Sequence, residues 1–140
     1  MSDANDWNQK VIEEFRANGG KVGGQMEGWP ILLLHHTGAK SGTERVSPVV
    51  YQRLDDSSVA VFASKAGAPT NPDWFHNLVA HPETKIEIGT DTRPVVARVA
   101  TGDERHRIWE QQKKTFSNFA EYETTAAPRQ IPVVILESAS

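Results

Sequence analysis

The stretch HTGAKSGTERVSPVV, residues 36–50, concentrates groups that bind anions. Gly38 and Gly42 suit a tight turn, and successive backbone N–H groups in such a turn form an anion-binding concavity. Lys40 adds a point charge, Ser41 and Thr43 add hydroxyl donors, and Arg45 can grip a phosphate or carboxylate at two points. The same residues also make an ordinary hairpin turn with solvated charges, and on pattern alone the two readings are even. A second cluster, ASKAGAPTNPDWFHN at 63–77, favours binding. It sets Ser64 and Lys65 at the end of a strand, before a small-residue loop and a helix N-terminus with positive partial charge. Two such loops, each with a lysine, suit one elongated anionic ligand.

Other chemistries are excluded by composition or spacing. The 140 residues contain no cysteine, so there is no disulfide and no thiolate metal site. Five histidines are present without an H-E-x-x-H pattern. His35 and His36 are adjacent on a predicted strand and must point to opposite faces, which favours a structural role for each. His76 and His81 are spaced five apart, poorly for one helical metal site, and no metal is assigned. There is no P-loop and no G-x-G-x-x-G, and Ser41, Ser47 and Ser64 lie in no nucleophile-elbow pattern. A net charge of −3 argues against nucleic-acid binding.

The elements that must position these loops read as one domain over 1–140, with an N-terminal helix and linker over 1–25. Trp7, Val11 and Phe15, with Ile12 alongside, give a helix over 5–17 one apolar stripe, which Gly19 and Gly20 terminate. The stripe suits docking on the domain and leaves open a partner or a membrane surface. The longest apolar run, ILLL, is too short to span a bilayer, and the polar N-terminus does not read as a signal peptide, so a cytoplasmic location is expected.

Strands are predicted at 31–37, 45–54 and 59–65, with Pro48 marking an edge or a bulge. A helix follows from Pro72 with Asn71 as its N-cap, ending before Pro82. A strand pair at 85–89 and 93–100 turns at Thr90–Thr92. Thr101 and Glu104 form a capping box opening a helix to about Lys114, and a last strand covers 131–137. Hairpin links argue for an antiparallel sheet, and six short strands remove exposed edges by closing into a small barrel.

TGAKSGTERVSPVVY, ASKAGAPTNPDWFHNL and RQIPVVILE resemble the deazaflavin-dependent nitroreductase family, over about Ile31 to Glu137. The resemblance implies an α+β, mainly β fold: a six-stranded antiparallel split β-barrel with three to four flanking helices, of the flavin/deazaflavin oxidoreductase superfamily. It implies coenzyme F420, whose tail carries a phosphodiester and glutamates, and hydride transfer to a quinone, a nitroaromatic or another activated acceptor. In family terms Lys40, Ser41, Gly42 and Arg45 hold that tail, within a contact set that also takes in Thr37, Ala39, Thr43 and Val50. Ala63, Ser64, Lys65, Gly67 and Ala68 flank the ring system. Trp74 packs at the pocket wall or in the core, and Asn77 is expected to be structural.

One departure bears on catalysis. Where relatives carry Y-x-x-Y-x-x-Y, this chain has Phe116, Phe119 and Tyr122, so only the third hydroxyl remains and Tyr122, Ser64 or water must deliver a proton. The T-D-R that precedes the last strand in relatives is Ala127-Pro128-Arg129 here. An FMN-dependent oxidoreductase on the same barrel, or a non-catalytic F420 carrier, are the alternatives. A homodimer is common among relatives of this barrel.

Overall fold

The computed structural model describes residues 3–21, 29–55, 57–64 and 70–139. These form, in order, α1 (Asp3–Ala17), β1 (Ile31–Thr37), β2 (Glu44–Asp55), β3 (Ser58–Phe62), α2 (Asp73–Ala80), β4 (Glu83–Ile88), β5 (Asp91–Val99), α3 (Gly102–Thr115), α4 (Asn118–Ala126) and β6 (Val133–Ser138). The six strands close into a barrel in the order β1-β2-β3-β6-β5-β4, every pair antiparallel. The expected six-stranded antiparallel barrel with flanking helices is the observed one.

Period-two alternation sorts each strand between two cores. Leu32 and Leu34 of β1 point inward, with Val59, Val61, Ile86, Ile88, Val95, Val134 and Leu136. Trp74 and Leu78 of α2 join that interior cluster and close one end of the barrel. Ile31 and Leu33 point outward and meet Val11, Ile12 and Phe15 of α1. On the far side, Ala60, Phe62, Val133 and Ile135 meet Ile108, Trp109 and Phe119 of α3 and α4. Strands covered on both faces read as unbroken apolar runs rather than alternating ones, which is why ILLL and VVIL are continuous.

The stripe on α1 is thus engaged by the barrel wall, and the reading of that face as a membrane contact is corrected; the Trp7 side chain lies outside the described residues. Among the described residues no helix is long and apolar enough to cross a membrane. Arg16 anchors the end of α1 by two hydrogen bonds to Glu87 of β4, at 3.1 and 2.7 Å. Gly20 then passes so close to the β4–β5 turn that a Cβ would lie 2.7 Å from Gly89 Cα, and its φ of +98° favours glycine as well.

β2 divides its partners. Residues 44–50 pair with β1, and pairing with β3 starts only at Tyr51 opposite Val61. Pro48 sits in the half that β3 leaves unpaired, where a missing N–H costs nothing, as its edge reading required.

Several local expectations give way. The N-cap of α2 is Pro72 rather than Asn71, whose side chain accepts from Arg129. The capping box at α3 does not form: Thr101 is the N-cap without a side-chain bond, because Arg98 grips Glu104 at 2.7 and 2.9 Å. β4 and β5 each begin two residues early and turn at Gly89–Thr90. The aromatic run after α3 becomes a separate short helix, α4.

Phe15 is 1% exposed at the centre of the α1 contact. Phe15→Ala is expected to lower unfolding free energy by about 3–5 kcal/mol in denaturant titrations. A variant as stable as wild type would mean that α1 is not docked on the barrel.

Candidate functional site

The barrel end that α2 closes carries the β1–β2 turn, and the β3–α2 connection leaves from the same end. In the turn, the Gly38 N–H donates to the Thr43 carbonyl at 2.8 Å and the Gly42 N–H to the Gly38 carbonyl at 2.9 Å. The Thr43 N–H donates to Ser41 Oγ at 3.2 Å. Gly42 has φ +72°, the left-handed conformation that makes so tight a turn accessible.

A buried side-chain chain holds this turn to the barrel. The Ala39 N–H donates to Asn77 Oδ1 at 2.9 Å. Asn77 Nδ2 lies 2.9 Å from His36 Nδ1, and His36 Nε2 lies 2.9 Å from Ser47 Oγ. Asn77 has only N–H groups to offer at Nδ2, so His36 Nδ1 is the acceptor and the imidazole proton sits on Nε2, donating to Ser47. His36 is 3% exposed and Asn77 7%. Burial first, and then the charge of Arg45 opposite on β2, lowers the His36 pKa from 6.5 to about 4. His35, on the outer face, meets Glu87 at 2.7 Å. Both histidines are structural, on opposite faces, as their adjacency required.

The concavity expected of the turn is consequently smaller than the sequence implied. The amides of Gly38, Ala39, Gly42 and Thr43 are engaged within the protein. Ala39 in particular turns its N–H toward Asn77, which removes that donor from any ligand. The N–H groups of Lys40 and Ser41 have no hydrogen-bond partner among the described residues, and the Lys40, Ser41 and Arg45 side chains are exposed. Ser41 Oγ accepts from Thr43 and keeps its own proton to donate.

A second clamp ties together Ala63, Ser64 and Asn71. Arg129 Nη1 donates to the Ala63 carbonyl at 3.0 Å and to Asn71 Oδ1, and Nη2 donates to the Ser64 carbonyl at 3.0 Å. One guanidinium thereby joins the two ends of the 63–71 segment. Lys65, Gly67 and Ala68 lie within 65–69, outside the described residues. In sequence Arg129 opens the RQIPVVILE stretch and ends the altered Ala127-Pro128-Arg129 tripeptide, with no role of its own assigned.

The remaining expected residues take no part in the hydrogen bonds of either clamp. Thr37 closes β1 opposite Glu44. Val50 points outward, between the α1 cluster and the α3–α4 cluster, so inward strand parity does not bring it to the barrel mouth. Trp74 is 8% exposed and packs in the interior cluster at the end that α2 closes. Phe119 is 3% exposed and rings Phe62, Trp109, Phe116 and Tyr122 at 5.2–6.4 Å. Tyr122 is half-buried, and its hydroxyl accepts from Asn118 Nδ2 at 3.0 Å. Among the described residues no histidine or carboxylate cluster could hold a metal.

A sequence model of the F420H(2)-dependent quinone reductase family matches residues 7–138. This chain belongs to that family. It is 43% identical over 107 residues to the Mycobacterium tuberculosis protein named "Putative F420H(2)-dependent quinone reductase Rv3178", covering 76% of this chain and 88% of the relative. A solved F420-H2 dependent reductase, FDR-A, superposes with TM-score 0.69 at 37% identity, over 77% of this chain and 94% of that one. A structure described as a domain-swapped dimer superposes with TM-score 0.71 at 33% identity, over 96% and 98%. Membership accounts for the resemblance read from the two loops and makes F420 the family's reductant.

The buried chain has a pH signature. Folding holds His36 neutral, so between pH 6.5 and about 4 the unfolded chain binds a proton that the folded one refuses. Stability is expected to fall as pH drops through that window, and His36→Gln is expected to flatten the slope. Unfolding midpoints of both proteins across the window check this; parallel profiles would remove His36 as the source.

Proposed function

We propose that this chain binds reduced F420 at the 38–45 turn and reduces a quinone. The observation that carries the proposal is the pair of exposed cations, Lys40 and Arg45, standing with two unengaged N–H groups on a turn that a buried amide locks to the barrel. Neither cation has an ion-pair partner among the described residues. This donor set fits a phosphodiester and carboxylate tail: Arg45 for two-point contact, Lys40 as a point charge, and Ser41 Oγ and the Lys40 and Ser41 amides as neutral donors.

When bound, F420 supplies the hydride; the protein supplies orientation and a proton. Arg129 holds the Ser64 backbone through its carbonyl, just past the end of β3. Tyr122 Oη accepts from Asn118, so its own proton remains for the oxygen of the reduced quinone. Phe119 has no hydroxyl and is sealed in the outer core, which leaves Tyr122 and Ser64 as the chain's candidates for proton delivery. Val79, Val96 and Val99 are exposed on α2 and β5, and with the domain-swapped relative they support a homodimer, which light scattering checks directly.

Lys40→Ala and Arg45→Ala are each expected to weaken F420 binding by roughly 1.5–3 kcal/mol at low salt, less as salt rises. Titration of the purified protein with F420 and with FMN measures this. Unchanged F420 affinity in both variants, or tighter binding of FMN, would overturn the assignment.

Tyr122→Phe is expected to lower the rate of F420H2 oxidation by menadione at least tenfold, with F420 affinity unchanged, since a placed general acid contributes about 10²–10⁴-fold. Wild-type rates in stopped-flow would make Tyr122 a packing residue. No menadione-dependent oxidation by the wild-type chain would favour a carrier.

A further inference from the structure

The barrel has a second mouth, at the end away from the 38–45 turn. There the β2–β3 hairpin, the β4–β5 hairpin and the end of β6 surround a cavity of about 310 Å³. That volume lies at the lower end of the range for small-molecule sites. Its floor is the inner wall of the barrel, formed by Val59, Ile86, Val95 and Leu136. Its rim carries Arg53 and Arg93. Both share strand parity with inward residues, Arg53 two after Tyr51 and Arg93 two before Val95, so both stand on the mouth. At the other end α2 closes the barrel; no helix among the described residues lines this one.

The charges on the rim differ in how they are engaged. Asp55 is committed to its own hairpin. It accepts from the Ser57 N–H at 2.8 Å, Ser57 Oγ at 3.1 Å and Ser58 Oγ at 2.8 Å. Arg93 meets Asp91 at 3.3 Å, with both side chains well exposed, a pair that solvent keeps weak. Arg53 has no ion-pair partner among the described residues. Among the described residues the two guanidiniums face carboxylates that are either engaged or weakly paired, which suits a single negative charge better than a doubly charged phosphate. An apolar floor beneath them requires an apolar body attached to that charge. Neither feature suits a neutral quinone, and the mouth lies at the opposite end from the turn assigned to the cofactor tail.

We propose that this mouth is a second binding site, for an organic carboxylate with a short apolar body. Its headgroup lies between Arg53 and Arg93, and its body rests on Val59, Ile86, Val95 and Leu136. The site is separate from the one at the 38–45 turn, and occupancy of the two is independent.

Octanoate, with octanol as its neutral counterpart, tests this by titration of the full chain, with and without F420, followed through methyl resonances. Saturable shifts centred on the methyls of Val59, Ile86, Val95 and Leu136 are expected with octanoate, and F420 is expected to leave them in place. Arg53→Gln and Arg93→Gln are each expected to weaken octanoate binding about tenfold or more with the unfolding midpoint unchanged, since each loses a charge-assisted contact. Lys40→Ala is expected to leave octanoate binding as it is. Shifts that never saturate, octanol binding as well as octanoate, or shifts that F420 displaces or that Lys40→Ala abolishes would each overturn the proposal.

Discussion

A buried amide that must find its partners decides where the cations of this protein stand. Asn77 sits on a helix that closes the barrel, and at 7% exposure its oxygen and nitrogen cannot rely on water. Its oxygen takes the Ala39 N–H, and its nitrogen gives to His36, which must then give to Ser47. Each bond fixes the direction of the next, so one helix residue sets a tautomer on β1, a hydroxyl on β2 and the path of the turn between them. A charged imidazole would lose its acceptor for Asn77 and face Arg45 across the ladder, which is why the neutral form is the one the fold keeps. With the turn held from within, the Lys40 and Arg45 side chains stay exposed.

Arg129 repeats the device on the second loop, with a charge in place of an amide. Its three described partners are oxygens of neutral groups: two carbonyls and a side-chain amide. Hydrogen bonds from a charged donor are among the stronger ones a protein makes. The exposed ion pairs elsewhere, such as Arg98 with Glu104 and Glu137, fasten elements to one another but contribute little each. The Arg129 contacts define a loop whose two ends would otherwise be separate.

Closure of the barrel brings these devices together. β2 is long enough to pair with β1 through its first half and with β3 through its second. β3 therefore ends part-way along β2, on the side of the barrel end that carries the β1–β2 turn. The connectivity places the arginine-clamped residues Ala63, Ser64 and Asn71 and the cation-bearing turn at the same end. Among the described residues the opposite end carries the β2–β3 and β4–β5 hairpins, with a cavity beneath two arginines.

The strands, their antiparallel pairing and the α1 docking stripe were legible in sequence, because apolar runs, turn residues and helical spacing are local properties. So was the opposite facing of His35 and His36. Local pattern misled where a side chain had a better partner far away in the chain. Glu104 left its capping box for Arg98, and Asn71 left its cap for Arg129. The Ala39 amide, counted with the anion-binding donors, is taken by a helix residue 38 positions on. Val50 packs between two cores whose faces only the closed sheet defines. Residue types determined that an anion could be held on this chain; long-range hydrogen bonds, invisible in spacing, decided which donors remain to hold it.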